Sequence, residues 1–247
     1  MSISLPLIWS YVLSAPFYHA ALMTLAISVA SLFWGMVVGL LLALLQEARW
    51  RVLRLLAVGY LWLFRGTPVL FQLIFVFNVL PGFGIVLSGF TCAVLALALN
   101  EGAYMAEIMR SGIRAVGRGQ RLAARALGMP DWQVMRWVVL PQALRIVIPP
   151  IGNQFIGMLK LSALVSVIAV QELLLVANQT ASANFRYVEA LSAAGIYYLA
   201  MTTLLMLGQF LLEHALRRRG RGRTPRGTVS ATLPATLPGL ADAARTR

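Results

Sequence analysis

Groups able to do chemistry are few in this 247-residue sequence, and they stand far apart. The one cysteine, Cys92, lies inside an apolar block, so neither a disulfide nor a cysteine metal site can be built from it. His19 and His214 are isolated and distant, which disfavours a histidine metal site. Glu101 and Glu107 are six apart, not a same-face pair at helical spacing, so two-carboxylate catalysis is unsupported. A P-loop needs Gly-Lys followed by Ser or Thr, whose backbone amides and lysine hold phosphates. The only lysine, Lys160, follows Leu159, and this chain cannot hydrolyse ATP by that chemistry. No catalytic, cofactor-binding or metal-ligating residue is expected.

What remains are ionisable groups inside apolar sequence, where a charge is costly and faces a pathway or a partner. Arg65 lies about ten residues after Arg54, roughly 15 Å along a helix. Pro68 then opens the hydrogen-bond ladder, so carbonyls or a carboxylate near a kink are the expected partners of Arg65, in a structural or a gating role. For Lys160 the nearest acid on its C-terminal side is Glu172, and Glu107 lies in the preceding span. A structural ion pair would satisfy it, and so would a place among opposed charges lining a pathway. Pro149-Pro150 with Gly152-Asn153 is expected to break or bend its span, freeing carbonyls to line a cavity or leaving a kink filled by a neighbouring helix.

These groups must be held by elements that suit lipid. The chain is 60% hydrophobic and 12% charged, with a mean hydropathy of +0.79. Soluble domains carry roughly a quarter charged and about half apolar residues, so a water-soluble globular protein is close to excluded. The net charge of +13 is not spread over a folded face. Arginines cluster at Arg49, Arg51 and Arg54, again between Arg110 and Arg145, and again between Arg217 and Arg247. The clusters alternate with apolar blocks, as the positive-inside rule expects, and argue against nucleic-acid binding.

A helix needs about 20 apolar residues to cross a bilayer. Ala20–Leu45 is the clearest span, and Leu55 to about Leu80 a second, interrupted by Arg65. Pro81-Gly82-Phe83-Gly84 reads as an outside turn. A third span runs from about Ile85 to Asn100, a fourth from Pro141 to about Gln171, and a fifth from Ala190 to Leu212. Ala177–Glu189 is polar and expected outside. Five crossings with an outside N-terminus put every arginine cluster on the cytoplasmic side. Residues 1–19 are expected as an interfacial segment with aromatic anchors, 20–216 as the transmembrane domain, and 217–247 as a disordered basic tail attracted to anionic lipid. The N-terminus has no basic start of a cleavable signal, so the first span is expected to serve as its own insertion signal.

The loop between the third and fourth spans reads as two short helices. Arg121–Leu127 is rich in helix formers, Gly128 suits a left-handed cap, and Pro130 suits the first turn of the next helix. In that second helix Val134, Val138 and either Val139 or Leu140 recur at helical spacing. Ala123, Ala124, Ala126 and Leu127 make a small, smooth surface between arginines, suited either to a groove on a soluble partner or to an ordinary surface helix.

Gly119-Gln120-x-x-Ala123-Ala124-x-Ala126-Leu127-Gly128, followed by Val138-x-Leu140-Pro141, resembles the EAA loop of bacterial ABC-importer permeases. Five further segments resemble the subgroup that imports polar amino acids or opines: Phe64-Arg65-Gly66-Thr67-Pro68, Ala103-Tyr104-x-Ala106-Glu107-Ile108, Pro141-Gln142-Ala143-Leu144-Arg145, Pro149-Pro150-x-Gly152-Asn153 and Glu172-Leu173-Leu174. They occur in the family's order and cover roughly residues 22–212.

The resemblance implies an all-α membrane fold of about five core helices, of the ABC type I importer permease kind. It implies a second permease subunit, identical or related, a periplasmic substrate-binding protein, and a separate ATP-binding cassette subunit that holds the ATP. The coupling residues it implies are Gly119, Gln120, Leu122, Ala123, Ala124, Ala126, Leu127, Gly128, Leu140 and Pro141. Candidate pathway residues are Arg65, Thr67, Pro68, Glu107, Asn153, Lys160, Ser162 and Glu172. Two positions depart from the pattern. Leu122 stands where the family has glutamate, and Lys160-Leu161-Ser162-Ala163-Leu164 replaces Lys-x-Thr-Ser-Leu with one hydroxyl fewer. The rival reading, a secondary transporter or channel driven by an ion gradient, calls for an internal repeat, and none is seen.

Overall fold

The computed structural model describes residues 3–221, with side chains through residue 216. In chain order the α-helices are α1 (Leu5–Val12), α2 (Ala15–Gln46), α3 (Arg51–Gly66), α4 (Val69–Val79), α5 (Gly89–Ala115), α6 (Arg118–Ala126), α7 (Asp131–Gln133), α8 (Leu140–Leu161), α9 (Leu173–Asn184) and α10 (Tyr187–Arg221). A π-helical stretch, Val134–Val139, joins α7 to α8, and a 3-10 stretch, Ser162–Ile168, follows α8. Among the described residues, four helical stretches are long and apolar enough to cross a membrane: Ala15–Gln46, Gly89–Ala115, Asp131–Ile168 and Tyr187–Leu216. Taken together as one bent span, Arg51–Gly66 and Val69–Phe83 bring the number to five.

The core is the pairing of α2 with α5. Lipid tails are as apolar as leucine, so spans associate by close packing rather than by expelling water. Thr24, Ser28, Ser31, Gly35, Gly39 and Leu42 form one buried stripe of α2 at helical spacing. A Cβ on Gly35 would lie 2.9 Å from the Glu101 Cβ, and one on Gly102 would lie 2.5 Å from a Val38 methyl carbon. The two backbones come this close only because those side chains are absent. Thr24 and Ser28 return their hydroxyls to carbonyls one turn back, at 3.0 and 2.7 Å, so neither is left unmet in the apolar interior.

The block from Leu55 to Leu80 differs from the single interrupted span expected of it. It is two helices meeting at 101° across Gly66-Thr67-Pro68, and the first begins at Arg51. Proline pushes the preceding residue out of the helical region, and Thr67 is extended at φ −113°, ψ 143°. Sequence marks this kink but not its sharpness.

Of the break or bend expected at Pro149-Pro150, the break does not occur: α8 continues as helix through both prolines to Leu161. The segment 177–189, expected as a polar stretch on the outside, is largely helix. Leu173, Ala177 and Ala181 form a fully buried stripe of α9 against Ala190 and Ala193 of α10 and Phe17 of α2. Its polar residues Asn178, Gln179 and Asn184 obscure this four-residue repeat of small side chains. At the N-terminus, α1 and the start of α2 occupy the expected interfacial segment, where Tyr11 and Phe17 stack at 5.8 Å. Helix α10 runs to Arg221, so the first residues of the expected tail are helical; residues 222–247 lie outside the described part.

Candidate functional site

Two regions bring sequence-selected residues together. The first is the α6 stalk. Helix α6 starts after Gly117 and ends where Gly128 takes a left-handed φ of +80°. Met129 N–H returns to Ala124 O at 3.2 Å and Gly128 N–H to Arg125 O at 2.9 Å, closing the helix end. Pro130 stands one position before α7, as its N-cap residue, rather than inside the first turn.

Of the α6 residues only Ala124 is buried, among Val116, Val134, Val139 and Ala143. Gly119, Gln120, Leu122, Ala123, Ala126, Leu127 and Gly128 all face outward, with Leu122 63% and Leu127 83% exposed. Arg121 donates to the Ile113 carbonyl at the end of α5, and Arg125 pairs with Asp131 at 2.9 Å. The helix is therefore held on one side and bare on the other.

The connection from this stalk to α8 is π-helical, which corrects the α-helical spacing expected for Val134 and Val138. Val134 and Val139, five apart, share the buried face, and Val138 is only partly buried. A π turn takes one residue more than an α turn, and such turns cluster at functional sites. Leu140 and Pro141 follow at the exposed start of α8.

The second region is a polar tier across the middle of the bundle, built on α5, α8, α10 and the α3–α4 elbow. At the elbow the Gln72 amide donates to Phe64 O at 3.0 Å, Thr67 O at 3.1 Å and Thr67 Oγ1 at 2.8 Å. Asn100 Nδ2 donates to Phe64 O and to Gln72 Oε1, at 3.0 and 3.1 Å. The carbonyls freed at the end of α3 are thus met by amides on α4 and α5. Arg65 leaves the elbow toward α5, 3.7 Å from Glu107 and 5.6 Å above the Tyr104 ring, with Arg65 and Glu107 each about half exposed.

Beside Asn100, the buried Glu101 accepts a 2.8 Å hydrogen bond from Gln154 on α8. Asn153, the neighbour of Gln154, accepts from Gln209 of α10 at 3.1 Å. Gln209 also donates to Pro149 O at 3.3 Å and to Glu213 at 3.0 Å. It fits because residue 152 is glycine, where a Cβ would lie 2.9 Å from the Gln209 amide carbon. Between α8 and α10 a cavity of about 480 Å³ opens, with Asn153, Gly157, Lys160, Gln209 and Glu213 in its walls.

The expected charge pairings of Lys160 are not made: Glu107 is paired with Arg65, and Glu172 is engaged elsewhere. Glu172 is fully buried as the cap of α9, accepting from Leu174 N at 2.9 Å, Leu175 N at 2.7 Å and Tyr198 Oη at 3.0 Å. Ser162 is likewise fully buried and returns its hydroxyl to Leu159 O at 2.8 Å. Arg65, Thr67, Pro68 and Glu107 gather at the elbow, and Asn153 and Lys160 at the cavity. Gln72, Asn100, Glu101, Gln154, Gln209 and Glu213 are not among the residues selected from sequence. The signal for three of them was legible: Asn100-Glu101, and Gln154 beside the selected Asn153, are adjacent polar pairs set in apolar helices.

Residues 35–218 match the family described as Binding-protein-dependent transport system inner membrane component. The chain is 39% identical over 248 residues to the arginine transport system permease protein ArgU of Corynebacterium glutamicum, covering 95% of this chain and 76% of that one. It is 38% identical over 202 residues to the glutamine transport system permease protein GlnP of Escherichia coli, covering 81% and 91%. A solved structure of an amino acid ABC transporter with histidines superposes with a TM-score of 0.82 at 38% identity, over 87% of this chain and all of that one. The MetNI methionine ABC transporter, at 18% identity and a TM-score of 0.71 over 87% of this chain and 99% of that one, shares the fold.

Proposed function

The chain belongs to the family of inner membrane components of binding-protein-dependent transport systems, and from that premise we propose the division of labour within the transporter. The chain is the permease subunit of an ATP-driven ABC importer of polar amino acids or related compounds. It is a multi-pass inner membrane protein and performs no covalent chemistry. Its N-terminus lies outside and its C-terminus in the cytoplasm, an arrangement supported by the arginine clusters. ATP is bound by a separate cassette subunit, cargo is delivered by a periplasmic binding protein, and a second permease subunit completes the pathway.

The observation that carries this reading is the exposed α6 on a buried root. Ala124 fixes the helix to the base of α8, while Leu122, Ala123, Ala126 and Leu127 offer an apolar face away from the spans. A soluble ATPase gripping that face moves α8 directly, and α8 carries Gln154, Asn153 and Lys160 of the polar tier. The cargo route runs along the α8–α10 cavity, with the Arg65–Glu107 elbow beside it. Leu122, in place of the family's glutamate, makes an apolar contact in the ATPase groove.

Purification and uptake test this. An ATPase subunit should accompany the permease, and uptake in proteoliposomes should stop on ATP depletion while an ion gradient is maintained. Uptake that continues under those conditions would overturn the reading in favour of an ion-gradient-driven carrier.

A further inference from the structure

We propose that Arg121 is a positioning residue that clasps α6 to the end of α5, so that the stalk drives α5 and the elbow as well as α8. This rests on the reading of α6 as the helix gripped by the ATPase. Arg121 occupies an unspecified position of the Gly119–Gly128 motif and is not among the residues selected from sequence. Helix α5 ends at Ala115, and only Val116 and Gly117 join it to α6 at Arg118. Val116 is extended at φ −69°, ψ 117°. Gly117, whose amide would otherwise meet the Ile113 carbonyl, is thereby turned off the helix axis. Arg121, one turn into α6, reaches back and donates to that carbonyl instead. Its cation also meets the negative end of the α5 dipole.

The clasp changes what the joint can transmit. A single covalent link passes on a pull but not a twist. Gly117 has open space where its Cβ would be, so α6 could swivel there while α5 stayed still. A second attachment one turn along α6 removes that freedom. The apolar contacts nearby do not replace it. Gly112 packs so closely on α8 that a Cβ would collide with a Val147 methyl, yet that contact is a pivot and carries no polar bond to fix an angle. The Arg121 Nε is buried without a partner, so the contact is made with one donor unmet. Stability alone is a poor account of such a bond, and position is a better one.

What α5 carries gives the second output its purpose. Leu99 O accepts from Tyr60 Oη at 2.7 Å, Asn100 donates to Phe64 O at 3.0 Å, and Glu107 faces Arg65 at 3.7 Å. All three tie α5 to α3 and the elbow. At the stalk end, Arg110 and Arg114 of α5 both reach Glu47 at the end of α2, at 3.2 and 3.3 Å. The glycine seam joins α2 to α5 above them. A turn of α6 is therefore delivered through α8 to the cavity, and through Arg121 and α5 to the elbow. The two polar regions then move in step.

The test uses the permease–ATPase complex in proteoliposomes, with Cys92→Ala removing the one native cysteine. Thr67→Cys reports on the elbow and Gly157→Cys on α8, each through its rate of reaction with a soluble maleimide, which follows thiol exposure. Trapping with ATP and vanadate should change both rates about threefold or more. In Arg121→Met the ATPase should stay bound and the α8 response persist, while the elbow response is lost. Arg121→Gln, too short to reach Ile113, should behave the same way. Arg121→Lys, which keeps a donor, should restore the elbow response. So should Gly117→Pro added to Arg121→Met, because proline fits φ −53° and stiffens the joint without replacing the bond. An elbow that responds fully in Arg121→Met, or that is silent in the parent while α8 responds, would overturn the clasp and leave the ATPase reading standing. Loss of the ATPase from Arg121→Met on purification would also overturn it, by assigning Arg121 to the partner contact. If neither reporter responds in the parent complex, α6 is not driven by the ATPase, and the broader reading fails with the proposal.

Discussion

The α2–α5 pair and the α8–α10 pair solve opposite problems with the same kinds of residue. Both use glycine to let something large come close. Against Gly35, Gly39 and Gly102 it is the partner helix itself, and the contact is closed. Against Gly152 it is a single glutamine side chain, and the space beside it stays open. Small residues therefore do not by themselves mark either a closed seam or an open cavity. What distinguishes the two is whether the space beside the glycine is filled by the partner helix or left open. Thr24 and Ser28 of the closed pair turn their hydroxyls back onto their own helix, whereas Lys160 and Glu213 line the cavity, Glu213 also accepting from Gln209.

That contrast can be broken experimentally, starting with the closed pair. Gly39→Leu places a branched side chain where even a Cβ collides with Met105, and backbone as well as side chain is in the way. It should cost about 3 kcal/mol or more and abolish monodisperse protein, as followed by thermal unfolding in detergent. Gln72→Leu should come next. It strips the donor from Thr67 O and the Thr67 hydroxyl, one of two donors from Phe64 O, and one of the two acceptors of Asn100. A loss of about 1–3 kcal/mol in the same assay is expected, with the elbow opening to cysteine-directed probes at Thr67.

The open pair should respond differently. Gly152→Ala pushes on the end of a flexible glutamine, so stability should fall by less than about 1 kcal/mol. Uptake should nevertheless drop several-fold because the Gln209 bonds to Asn153 and Glu213 are disturbed. Equal losses of stability in Gly39→Leu and Gly152→Ala would erase the distinction. At the stalk, Leu122→Glu should reduce substrate-stimulated ATPase activity; unchanged cargo affinity and coupling would make the leucine merely tolerated. The smallest effect is expected from Asp131→Ala. Its ion pair with Arg125 is exposed, and removing it should cost under about 1 kcal/mol and barely alter uptake.

The features legible in sequence were those set by neighbours along the chain. The Gly128 cap, the Pro68 discontinuity and the apolar lengths of the spans each depend on a few adjacent residues. The 101° bend was not legible, because its sharpness relies on amides from Gln72 and Asn100, the latter more than 30 residues away. Helix α9 was not anticipated, because its polar residues conceal the repeat Leu173, Ala177, Ala181. The cavity was half visible. Asn153 and Lys160 stood out as polar residues within an apolar span, but Gln209 acquires meaning only from Gly152, 57 positions earlier. The α-helical spacing expected of Val134 and Val138 failed because a π turn repeats at five rather than at three or four.

That turn also fixes the tolerable length of the chain. Since Val134 and Val139 share a face only through the extra residue, a one-residue deletion between them would return the stretch to ordinary α-helix. Everything upstream would then swing by about 100° around the axis of α8. Ala124 would leave its socket, and the bare side of α6 would be turned toward the spans. Point substitutions along this joint are a matter of degree, but its length admits no change. Inserted or missing residues should therefore be absent between Pro130 and Pro141 in every functioning variant of this transporter, however freely its outer loops vary.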